Sequence, residues 1–320
     1  MTDVPSAAKG FFAAALKPGT EVTGQLAVLR KDMRRKQNGE PFLALELADR
    51  TGRVAANDWD HVAEYDSVFE PGTVVKVQAR AGEYNGRVQL TILRARRCRE
   101  DEYQLQDFLA ASARDPGEML EELRSLVRGM GDPWLRRLLE LALETCGEEL
   151  QCAPAAARIH HAYLGGLIEH VLSLSHAAMK LCDHYQRLNR DLLLAGCVLH
   201  DIGKIRELGI SAAAIGYTAS GRLVGHVAEG LLLVDRLAGS IEGFPAQALM
   251  LVRHLIVSHH GEPEFGALKP PATPEALALH YIDNLDAKLD HAWRLIGEGG
   301  EGEFTAYDPT LKREFYRGGL

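Results

Sequence analysis

The apolar residues change period near residue 100, which restricts the chain to an all-β piece followed by an all-α piece. Across 20–98, Val22, Gly24, Leu26 and Val28 alternate with polar or small neighbours, as do Leu43, Leu45 and Leu47. A period of two belongs to a strand with one buried face. Val75, Val77 and Ala79 share a face, and so do Val88, Leu90 and Ile92. Asn38-Gly39, Thr51-Gly52, Pro71-Gly72 and Asn85-Gly86 supply the turns between these runs. Residues 61–69 leave room for one short helix between the third and fourth strands.

Three strands, a helix and two strands is the order of a small OB-like barrel. Beyond residue 100 the spacing becomes helical, through Phe108, Leu120, Leu123 and Val127, with Asp115-Pro116-Gly117 as punctuation. We read 1–19 as an N-terminal segment, 20–98 as the barrel, and 99–154 as a helical connector with a helix over 134–143. Five or more helices and no strand are expected in 155–296. The Gly-rich, acidic 297–303 reads as a linker and 304–320 as a tail with aromatic anchors.

The 320 residues suffice for two domains with sizeable cores. No apolar run approaches membrane-spanning length, and 1–19 lacks a secretory pattern. Five cysteines without CxxC pairing read as reduced thiols, so a cytoplasmic protein is expected. The net charge of −8 argues against a surface coated for nucleic acid. Residues 20–98, however, carry 13 Lys/Arg against 11 Asp/Glu, so polyanion contact is expected to be local to the barrel.

The chemistry is signalled by His200-Asp201, at the end of the almost wholly apolar segment 192–204. Such a helix must be buried, and burying a histidine and an aspartate at its end is costly unless something pairs with them. A metal ion does so. Further donors lie on other apolar helices: His170, His226, His259, His260 and Asp283. Imidazoles and carboxylates without thiolate suit Mn, Fe, Co, Ni or Zn.

In order, His170, His200-Asp201, His226, His259-His260 and Asp283 resemble the HD superfamily of metal phosphohydrolases. The match is closer to the YhaM-type 3′→5′ exoribonucleases, which join an OB domain to an HD domain. It extends over about 20–295 and takes in the segment 160–170, His200-Asp201-Ile202-Gly203-Lys204, Ser258-His259-His260-Gly261 and the segment 279–288. The resemblance implies two divalent ions, manganese first. His170, His200, Asp201 and Asp283 would hold one, and Asp201 would bridge to another on His226, His259 and His260. It also implies hydrolysis of single-stranded RNA from the 3′ end to nucleoside 5′-monophosphates. Single-stranded DNA is allowed as a lesser substrate, and homo-oligomers are allowed too. Lys204 is expected to stabilise a phosphate oxygen, making it catalytic alongside Asp201.

For the remaining positions, His160 and His161 are expected on the substrate side, and His254 and His280 are expected to orient ligands. His176, His184, His291 and Asp290 read as surface residues, while Asp286 or Asp290 could accept a hydrogen bond from a ligand. In the barrel, Arg30, Lys31, Arg34, Arg35 and Lys36 are expected in the first hairpin loop, where OB folds meet nucleic acid. Lys76, Gln78 and Arg80 share a polar strand face. Arg34, Arg35, Lys36, Lys76 and Arg80 are the expected RNA contacts, with Phe42, Trp59 and Tyr84 as stacking platforms. Two other readings stand beside this one: an HD hydrolase of a small nucleotide, and a non-catalytic RNA-binding regulator.

Overall fold

The computed structural model describes residues 9–157, 161–212, 214–300 and 302–318. His160 lies outside the described residues. The chain forms two compact units, residues 1–111 with 210–215, and residues 112–209 with 216–320.

In the first unit, β1 (Glu21–Arg35), β2 (Pro41–Asp49), β3 (Gly52–Asp58), β4 (Val74–Tyr84) and β5 (Arg87–Arg97) close a barrel in the order β1-β2-β3-β5-β4. This is the OB-like barrel expected, with the short helix α1 (Val62–Tyr65) between β3 and β4. Closure depends on β1 being long and bent. Its first half pairs with β4 and its second half with β2, with a register shift between Val28 and Arg30. A bulge of this kind bends a strand and raises its twist. β3 and β5 complete the ring by a short parallel pairing, Ala55–Asn57 against Gln89–Thr91. The alternating residues Leu26, Val28, Leu43, Leu45, Leu47, Val75, Val77 and Leu90 fill the interior together with Phe69.

The bend also relocates the basic cluster. Arg30, Lys31, Arg34 and Arg35 lie in β1 itself and not in a hairpin loop. Alternation then separates their fates. Arg30 and Arg34 line a groove of about 650 Å³ with Arg53, Asn57, Arg87 and Gln89. Lys31 turns away to Asp66, Arg35 donates to the Gly39 carbonyl, and Lys36 pairs with Glu40 and Asp60. Arg80 pairs with Glu21 across the β1–β4 ladder, and Lys76 lies in a separate hollow with Arg94 and Arg96. Phe42 and Trp59 stack on one another at 4.4 Å, whereas Tyr84 is exposed.

The second unit is helical: α2 (Pro116–Arg128), α3 (Pro133–Cys152), α4 (Gly166–His184), α5 (Arg190–Leu199), α6 (Lys204–Glu207), α7 (Ala219–Leu223), α8 (His226–Gly239), α9 (Ala246–Ser258) and α10 (Pro274–Gly297). Asp115, Asp132, Asn189 and Thr273 each cap a helix by accepting a backbone N–H at its start. α2 and α3 share one core with the later helices, through Met119, Leu123, Leu138 and Leu139. The expectation of no strand after residue 155 was wrong. Leu208–Ser211 (β6) and Ala214–Tyr217 (β7) form a two-stranded hairpin, too short and too lacking in alternation to register as strands from sequence.

Leu138 is fully buried in this helical core. Leu138→Ala is expected to cost about 2–5 kcal/mol through lost burial and the cavity left behind. Equilibrium denaturation followed by far-ultraviolet circular dichroism measures this, and a loss below about 1 kcal/mol would show that the site collapses freely.

Candidate metal centre

α5 is buried along Leu192–Leu199, which fixes its end, His200, at the centre of the helical unit. The chain then turns through Asp201, Ile202 and Gly203. A Cβ on Gly203 would lie 2.0 Å from the His226 carbonyl oxygen, so only glycine lets the start of α8 approach this turn. That approach sets His226 beside Asp201. α4 delivers His170, the end of α9 delivers His259 and His260, and α10 delivers Asp283.

Proton positions follow from the acceptors. His200 Nδ1–H donates to the Cys197 carbonyl at 3.1 Å, and His259 Nδ1–H donates to the Ile256 carbonyl at 2.7 Å. A carbonyl only accepts, so the proton sits on Nδ1 and each Nε2 of the neutral ring carries a lone pair. Among the described residues neither Nε2 atom, both buried, has a hydrogen-bond partner, and nor has Asp201 Oδ1. Three buried acceptors with no donor are costly unless a cation joins them.

The two carboxylate oxygens of Asp201 face different sets. Oδ2 lies 3.4 Å from His200 Nε2, and Oδ1 lies 3.4 Å from His226 Nε2 and 3.6 Å from His259 Nε2. Asp283 Oδ1 is 3.3 Å from His170 Nε2 and 3.9 Å from His200 Nε2. His226 and His260 bring their Nε2 atoms to 3.2 Å. Ligands with bonds of about 2.1 Å sit roughly 3–3.4 Å apart around one ion, and these separations approach that spacing. Among the described residues three groups could each hold an ion: His170 with His200 and Asp201, His226 with His259 and His260, and His161 with His170 and Asp286.

Neighbouring groups orient the donors. Asp286 accepts from His170 Nδ1–H at 2.7 Å, and Glu207 accepts from the His226 ring and backbone N–H, each at 3.0 Å. His280 donates from Nδ1 to the His259 carbonyl at 2.8 Å. Burial opposes charge on His170, but the hydrogen bonds it donates to Asp283 and Asp286 outweigh it and raise its pKa to about 9. Burial likewise opposes ionisation of Asp201, yet the Lys204 ammonium beside it holds it well below the usual carboxylate range. The Lys204 ammonium lies 2.5 Å from Asp201 Oδ2. His259 is pushed far down by burial and by His200, which keeps its ring neutral and able to ligate.

A family profile described as HD domain matches residues 167–288, a span that contains all seven of these donors. A protein named 3′-5′ exoribonuclease YhaM from Geobacillus sp. (strain WCH70) is 37% identical over 284 residues, covering 88% of this chain and 86% of that protein. One of the same name from Bacillus subtilis (strain 168) is 36% identical over 88% of this chain and 89% of its own. The chain belongs to the YhaM family. A domain of replication protein A from Methanococcus maripaludis also aligns with 27% of this chain and 92% of its own, at 16% identity and a TM-score of 0.24. The HD domain of the YhaM family implies divalent metal binding, and the buried, donorless acceptors fit it.

Several residues around this YhaM-type centre differ from expectation. His161, expected on the substrate side, is buried with both ring nitrogens engaged, by Tyr163 and by Asp286 at 3.2 Å, so it braces Asp286. Asp290, read as a surface residue, accepts from the His161 backbone N–H. His254 does not touch the ligands; its Nε2 accepts from the Ala272 backbone N–H. His291 is buried against Asp308 at 3.3 Å, whereas His176 is exposed against Glu122 and His184 is exposed. Glu207 was missed altogether. Its signal was slight, a lone acid three residues after Lys204.

Because Asp286 fixes both the tautomer and the direction of the His170 ring, Asp286→Ala is expected to lower Mn²⁺ affinity about 10–100-fold. Calorimetric titration of the folded variant measures the loss, and unchanged affinity would show that the His170 ring is held in place without it.

Proposed function

We propose that this protein is a metal-dependent 3′→5′ exoribonuclease that hydrolyses single-stranded RNA to nucleoside 5′-monophosphates with a pair of divalent ions, manganese foremost. The reading is carried by one observation, the buried Asp201 with its two oxygens turned to two separate sets of imidazole lone pairs. Kinship with proteins named 3′-5′ exoribonuclease supports a polymer as substrate and favours this over a small-nucleotide hydrolase or a non-catalytic RNA binder. His170, His200, Asp201 and Asp283 would hold one ion, and Asp201, His226, His259 and His260 the other. When bound, such a pair supplies an activated water and neutralises the charge that grows on the phosphodiester.

The chain's own residues supply the rest. Asp286 and Glu207 hold the His170 and His226 rings in place. Burial opposes charge on Lys204, but Asp201 more than restores it, so the ammonium persists at neutral pH. Lys204 also lines the cavity in front of Asp201, where it can donate to a phosphate oxygen. Phe265 is exposed on the same cavity and offers a face to a base. In the reaction, the oxygen of water bonds to phosphorus and the bond to the 3′ oxygen breaks. The departing 3′ oxygen takes a proton.

The barrel, over 20–98, is the strand-binding domain in this reading, and 155–296 the hydrolase. The groove of Arg30, Arg34, Arg53 and Arg87 runs over β1, β3 and β5 and is the contact surface we favour. Arg30 and Arg34 lie beside Asp32, and Arg53 lies beside Glu46. Such exposed pairs are weak and readily exchanged for phosphates. Among the described residues no helix is long and apolar enough to cross a membrane. All five cysteines are unpaired, which supports our placing the protein in the cytoplasm.

End-labelled single-stranded RNA with Mn²⁺ should release 5′-mononucleotides progressively from the 3′ end, and Asp201→Ala should abolish release. Turnover in that variant equal to wild type would be incompatible with the reading. Arg34→Ala/Arg53→Ala/Arg87→Ala should weaken strand binding and flatten the slope of log affinity against log salt by about 2, at ~0.7 per phosphate contact. An unaltered slope would remove the groove from the account.

A further inference from the structure

The cavity in front of Asp201 has a volume of about 400 Å³, in the range that accommodates one small ligand. One wall follows α10, from Asp283 past Ala287 to His291. Over those eight steps the helix rises about 12 Å. At the His291 end the lining is completed by Thr310 and Leu311, which are far away in sequence and belong to no helix or strand. Phe265 and Lys288, both exposed, mark the part of the lining that meets solvent.

The segment carrying Thr310 and Leu311, read from sequence as part of a tail with aromatic anchors, folds back on itself as a closed loop. The Arg317 N–H donates to the Glu303 carbonyl, Thr305 N–H to that of Phe315, and Asp308 N–H to that of Arg313. Its anchor is polar. Asp308 accepts the Leu311 N–H through Oδ1 at 2.6 Å and faces His291 Nε2 through Oδ2 at 3.3 Å. His291 and Thr305 are buried, while Phe304 and Tyr316 meet with tilted rings, centroids 5.4 Å apart, and stay exposed. One carboxylate therefore both shapes the loop and pins it to the helix that carries Asp283.

We propose that the loop 303–317 is a stop that closes the far end of the cavity, so that only the end of an RNA chain can be hydrolysed. The inference rests on the exoribonuclease reading and deepens it. An internal phosphodiester can reach Asp201 only if strand continues on both sides of it. With Thr310 and Leu311 standing at the His291 end, the space beyond the scissile phosphate takes a terminal nucleotide and nothing further. Exonucleolytic action then comes from a wall and not from recognition of the 3′ hydroxyl.

The test uses a linear and a covalently circular single-stranded RNA of one sequence, with Mn²⁺ and the full chain. Each rate is expressed relative to hydrolysis of bis(p-nitrophenyl) phosphate by the same protein. Wild type should degrade the linear RNA and leave the circle intact. Asp308→Ala/Leu311→Gly, which unpins and thins the loop, should raise relative circle cleavage at least tenfold. An unchanged ratio, or a wild type that already cuts circles, overturns the proposal. Should that variant lose all hydrolysis, Thr310→Trp decides from the opposite direction. Added bulk at the wall should lower relative mononucleotide release at least tenfold, and an unchanged ratio is the contrary result. A wild type inert towards linear RNA would instead overturn the exoribonuclease reading itself.

Discussion

A carboxylate that is almost fully buried, with imidazole lone pairs on both sides, is the constraint around which the helical unit is built. Among the described residues Asp201 gains one cationic partner, Lys204, on Oδ2; Oδ1 has none and is surrounded by acceptors. Hydrogen bonding within the protein cannot resolve that arrangement, since His200 and His259 have already committed their only ring protons to backbone carbonyls. A cation can. The apolar packing of α5 forces the group into the interior, and the desolvation cost there is what makes the attraction for a divalent ion strong.

The surrounding parts serve that group at successive distances. Gly203 lets α8 close on the turn, Glu207 and Asp286 fix two of the rings, and His161 with Asp290 supports Asp286 from behind. α10 contributes at every level. It carries the ligand candidate Asp283, the orienting Asp286, the bracing Asp290 and, at its far end, His291 against Asp308. Asp283, Asp286 and Asp290 recur at three and four residues, so one helix presents a polar seam to the centre.

The barrel and the donor set were legible because each leaves a periodic or compositional mark. Alternation at Leu43, Leu45 and Leu47 can only be a strand with one buried face, and His200-Asp201 ending an apolar helix demands a partner. The β1 bulge left no such mark, so Arg30 and Arg34 were placed in a loop when they stand on a strand lining a groove. His161 and His291 looked like substrate-side and surface residues because burial by a distant element cannot be seen locally. Their partners lie 125 residues away at Asp286 in one case and in the loop 303–317 in the other. Glu207 is marked in the sequence only by its place three residues after Lys204, which scarcely separates it from a solvated acid.

Crystals grown with Mn²⁺ and measured at the manganese absorption edge test the central claim most directly. Two anomalous peaks should appear on opposite oxygens of Asp201, one beside His170, His200 and Asp283 and the other beside His226, His259 and His260. Diffraction showing no anomalous scatterer bonded to Asp201, with His200 and His259 Nε2 satisfied by protein groups, would contradict the account.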